Sequence, residues 1–73
     1  MRFLVMCKEE KNGACRTSFA PFRDRSEAVS FMMQESERQI RAVQNAVTQH
    51  SSEKIVVTDP AANESWSWIL LRS

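Results

Sequence analysis

The side chains that could carry chemistry in this sequence are few. His50 is the one histidine, Cys7 and Cys15 are the two cysteines, and Gly13 is the one glycine. A general base needs a nucleophile and an orienting group within hydrogen-bond reach, and no pattern around His50 nominates either. His50 falls instead at the end of a long helical stretch, where a cationic side chain complements the helix dipole. A zinc site would have to recruit Cys7, Cys15 and His50 at a spacing that matches no zinc pattern. A single glycine builds no phosphate-cradling loop. The sequence therefore predicts no catalytic residue, no metal site and no cofactor, and the chain is not expected to be an enzyme.

Binding has more to draw on. Arg16, Arg23 and Arg25 lie in a basic first third: residues 1–26 carry +3 and the remainder −2. With Trp66 and Trp68 as a stacking platform, these arginines would suit a single-stranded nucleic acid. The net charge of +1 argues the other way, because a nucleic-acid-binding domain is expected to be basic as a whole. Glu35, Glu37, Arg38 and Arg41 form a mixed charged face at helical spacing, either solvated surface or a contact surface for another protein.

The elements that would position these groups follow from pattern. Seventy-three residues make one small domain, residues 1–73, with an ordinary soluble composition of 42% hydrophobic and 26% charged residues. No apolar run reaches the roughly 18 residues of a membrane span. The apolar start, Phe3 to Cys7, is too short for a signal-peptide core. Membrane association is not expected, and the cytoplasm is the expected compartment.

A first strand, about Arg2 to Glu9, is apolar on both faces, as in the middle of a sheet. Asn12-Gly13 predicts a two-residue type I′ hairpin. In that register Met6 meets Phe19, Cys7 meets Ser18, Glu10 meets Cys15 and Lys11 meets Ala14. The two thiols then point to opposite faces, so no internal disulfide is expected. The second strand, Ala14 to Ala20, reads as an edge ended by Pro21, with Phe22 as an apolar plug where the helix begins.

That helix is the longest element, Asp24 to His50. Asp24 and Glu27 fit a capping box, and the apolar positions Val29, Met32, Met33, Ile40, Val43 and Val47 mark one face, interrupted by Ser36. About 25 residues rise roughly 37 Å, whereas strands of six or seven residues span roughly 20 Å. The helix must overhang the sheet or stop early near Thr48. If it overhangs, Val43 and Val47 need a partner, most simply a second copy of the chain.

Two further strands follow, Lys54 to Thr58 and Ser65 to Arg72, joined by a turn through Asp59 to Glu64. Asp59 facing Glu64 sets Val57 against Trp66 and Ile55 against Trp68, and such aromatic and β-branched pairs favour placing the tryptophans in the core. The expected architecture is α+β: a two-layer ββαββ domain with one long helix on a four-stranded, mainly antiparallel sheet of order 2-1-4-3. One helix covers one face, so Leu4, Met6, Phe19, Ile69 and Leu71 would share an uncovered one, and such a patch marks a partner site.

The function expected from this is that of a small standalone protein-interaction module. It would be a non-catalytic regulator or inhibitor, of a kind common in phages and mobile elements, docking on a larger macromolecular assembly. Val43, Val47, Glu35, Arg38, Arg41 and the uncovered sheet residues are the candidate contacts. Homodimer formation is expected, and nucleic-acid binding is the alternative.

Overall fold

The turns set this fold. In the computed structural model, which describes residues 2–72, Asn12 and Gly13 take φ values of 52° and 82°. Those are the two positive angles a type I′ turn needs. The turn joins β1 (Phe3–Lys11) to β2 (Ala14–Phe22), and the strands pair from Phe3↔Phe22 to Lys11↔Ala14 without interruption. Both strands are longer than the sequence implies, at nine residues each. Pro21 does not end β2, because it sits opposite Leu4 with its missing donor away from the ladder.

The helix α1 spans Arg25–Ala42 and is where the sequence reading is most in error. Asp24 has the extended backbone of an N-cap, but its side chain makes no capping hydrogen bond; Ala28 N–H donates to its carbonyl at 3.1 Å. The helix stops eight residues before His50. Val43 is extended and ends the helix, its N–H donating to the Ile40 carbonyl at 3.4 Å, and Asn45 takes the left-handed region at φ 62° in the turn that follows. β-branched Val47 and Thr48 then enter a strand, β3 (Val47–His50), that the helical periodicity of Val43 and Val47 had masked. His50 therefore lies on a strand opposite Ile55 and does not cap a helix.

The shorter helix does not overhang the sheet. An 18-residue helix rises about 27 Å and a nine-residue strand spans about 30 Å. Val43 packs against the core and does not project beyond it.

β4 (Lys54–Asp59) and β5 (Glu64–Arg72) complete the sheet, with Asn63 at φ 56° and the Asp59 carboxylate accepting from Ala62 N–H at 3.3 Å in their turn. Val57 pairs with Trp66 and Ile55 with Trp68. Among the described residues the sheet has five antiparallel strands in the order β2-β1-β5-β4-β3, in place of the expected four-stranded 2-1-4-3.

One helix packs on one face of this sheet. Val5, Ile55, Val57, Trp66, Trp68 and Leu70 from the strands meet Ala28 and Met32 from α1. Ser36, the break in the apolar stripe, is buried and donates its hydroxyl to the Met33 carbonyl at 2.9 Å, so its polar group is satisfied within the helix. Phe22 is the last residue of β2, and its ring packs on that of Phe31 in the second turn of α1, with 5.2 Å between ring centres.

Candidate protein-interaction surface

Strand parity divides the side chains into two sets, because residues directly opposite each other share a face. Val5, Cys7, Glu9, Trp66, Trp68 and Leu70 lie on the helix side of the sheet. The other face carries Phe19 and Pro21 from β2, Leu4 and Met6 from β1, and Ile69 and Leu71 from β5. Val56 of β4 and Val47 of β3 extend it.

No described element covers this second face. Phe19 is 58% exposed, Val47 52% and Leu71 37%, while Leu4, Met6, Val56 and Ile69 are half-buried only by their neighbours. The face is graded. Its apolar end holds Leu4, Pro21 and Leu71. Toward the hairpin turn it becomes polar, with Thr17, Ser67 and the Lys8–Glu10 ion pair at 3.2 Å.

The structure thus brings Leu4, Met6, Phe19, Ile69 and Leu71 together and adds Val47 by a different route from the helical one. Val56 and Pro21 belong to the same face; the alternation of β4 and the hairpin register carry that information. Glu35, Arg38 and Arg41 lie elsewhere, on α1, with Glu35 and Arg38 paired at 3.2 Å. Met33 and Ile40, assigned to the buried stripe by spacing, are exposed on the helix surface.

On the helix side, the β1–β2 hairpin runs past the flank of α1 and leaves a cleft of about 460 Å³. Phe31, Glu35 and Gln39 form one wall, Cys7, Arg16 and Ser18 the other, over Trp66 and Trp68. Burial pushes the Cys7 thiol up; a hydrogen bond with the Ser18 side chain pulls it down, and the Glu35 charge adds to the rise. A thiol held protonated is a poor nucleophile. Both cysteines are free, and their register puts them on opposite faces. Among the described residues no three His, Cys, Asp or Glu side chains cluster as metal ligands, and no helix is long and apolar enough to cross a membrane.

The stacking platform of the nucleic-acid reading does not form. Trp66 and Trp68 are 5% and 6% exposed, and Trp66 Nε1–H donates to Glu9 Oε2 at 3.1 Å, with Lys11 Nζ 5.8 Å from its ring centre. The arginines are also split. Arg16 lies near the hairpin turn and Arg23 beyond the far end of β2, roughly 20 Å along the strand. Arg25 donates to the Ser52 carbonyl at 3.3 Å.

No family model, curated protein or solved structure matches this chain.

Proposed function

We propose that this chain is a protein-interaction module that docks on a larger protein assembly, as a regulator or inhibitor, through the uncovered face of its sheet. The observation that carries this reading is the continuous apolar surface formed by Leu4, Met6, Phe19, Ile69 and Leu71 on strands whose opposite face already holds the core. A surface of that kind on a small domain marks a partner site. The partner offers an apolar patch at the Leu71 end and polar groups near Lys8 and Glu10.

The test is to recover the bound protein by affinity capture and then measure its affinity for single variants. Leu71→Glu, at an exposed position, should weaken binding by about 30-fold or more, as expected for a charge buried against an apolar part of an interface. Arg38→Glu on the helix should leave it within about threefold, as rim charges do. The reverse ranking would move the site to the helix.

A further inference from the structure

β2 and β3 are the edges of the sheet among the described residues, and they are unequal. β3 has four residues, a length that itself blunts an edge. β2 has nine, with Arg16 as its one charged side chain. Long edges with few charges invite pairing with another strand.

The register shows which backbone groups are unpaired. A type I′ turn makes Lys11 and Ala14 a hydrogen-bonded pair, and such pairs recur at every second residue. Arg16, Ser18, Ala20 and Phe22 therefore turn their backbone groups toward β1, and Cys15, Thr17, Phe19 and Pro21 turn theirs outward. The opposite side of the sheet agrees: Leu70 N–H donates to the Glu53 carbonyl at 2.8 Å, so the even residues of β5 face β4 and the odd ones face β1. Pro21 occupies one of the outward positions, where its missing donor costs the hairpin nothing.

We propose that β2 pairs antiparallel with β2 of a second copy of this chain, with the two-fold axis at Thr17, joining the two sheets into one. The edge sequence selects that register. A two-fold at Arg16 would set two guanidinium groups opposite each other. At Ser18 or Phe19 it would bring Pro21 into the new ladder, where a donor is needed. At Cys15 it would place the turn residue Gly13 opposite Thr17. Centred on Thr17, Arg16 faces Ser18, Cys15 faces Phe19 and threonine faces threonine, a favourable cross-strand pair, and the ladder ends at Ala14 opposite Ala20 because the next pair would be Gly13 with Pro21. About six main-chain hydrogen bonds then form. Phe19, more than half exposed in one chain, gains a neighbour across the junction, and the two uncovered faces become continuous. The pairing stands apart from the proposed function, since an edge can pair whatever docks on the face.

Disulfide trapping tests the register. Residues of a hydrogen-bonded pair have Cα atoms about 5.5 Å apart, within reach of a disulfide. In a Cys15→Ser background, Thr17→Cys should yield a predominant disulfide dimer under mild oxidation. The natural Cys15 pair, four residues out of alignment and roughly 14 Å apart, should yield none. Thr17→Pro removes one outward donor and leaves the β1 ladder intact. Light scattering should find the wild type dimeric and this variant monomeric, with unchanged circular dichroism. A wild-type monomer overturns the proposal, with or without a foreign strand on the edge. So does a dimer that the Thr17 thiols fail to trap or that Cys15 traps instead, even if Thr17→Pro does not fold.

Discussion

The two faces of the sheet are made by the same strands and differ only in parity. Leu70 is buried under the helix, and its neighbours Ile69 and Leu71 lie on the face that nothing described covers. Val57 is fully buried while Val56, one residue away, is not. The covered face spends its apolar residues on folding, because Trp66, Trp68, Ile55 and Val57 pack against Ala28 and Met32. The uncovered face carries comparable apolar residues, Leu4, Met6, Val56 and Ile69, that are only half-buried. Side chains of one type, on one strand, are thus divided between a covered face and an uncovered one.

Truncations that break this comparison should differ most at Trp68. Trp68→Ala removes a buried aromatic at the centre of the covered face and should cost about 3–5 kcal/mol in denaturant unfolding, enough to unfold a domain this small. Phe19→Ala, on the other face, should cost well under half of that. Gly13→Ala should cost about 1 kcal/mol. No heavy atom lies near the added methyl, so the whole effect comes from forcing a side chain to φ +82°. Glu9→Gln should cost about 1 kcal/mol or less through the bond to Trp66 Nε1, visible as a red-shifted or broadened tryptophan emission if the ring loosens. The smallest effect on stability should come from Leu71→Glu, within about 0.5 kcal/mol as for other exposed sites.

The cysteines sharpen the contrast chemically. Cys15 is exposed and Cys7 is half-buried with its thiol pushed up. Alkylation near pH 8 should label Cys15 first, with Cys7 reacting only as pH rises further. Because the folded state favours the neutral Cys7 thiol, its contribution to stability is present below the ordinary thiol pKa. It is lost as pH rises through the raised value.

The sequence made the paired strands legible because their turns announce themselves. Asn12-Gly13 pins Met6 to Phe19, and the Asp59–Glu64 turn pins Val57 to Trp66, so parity on both hairpins followed. That parity made most of the uncovered face readable. The segment from Val43 to His50 was not readable in the same way. Val43 and Val47 are four apart, a helical spacing, and no glycine or proline marks the stop, which falls at an extended Val43 with Asn45 left-handed in the turn beyond it. A four-residue strand with one apolar side chain has too little alternation to compete with that pattern. The false helix end produced the false overhang, and with it the assignment of Val43 to a second molecule.

Methyl-resolved NMR of the chain titrated with its captured partner tests the central claim most directly. Leu71, Ile69 and Val56 should shift or broaden, while Leu70, Ile55 and Val57, one residue away on the same strands, should stay in place. Shifts confined to the buried set, or to Met33 and Ile40 on the helix, would contradict docking on the uncovered face.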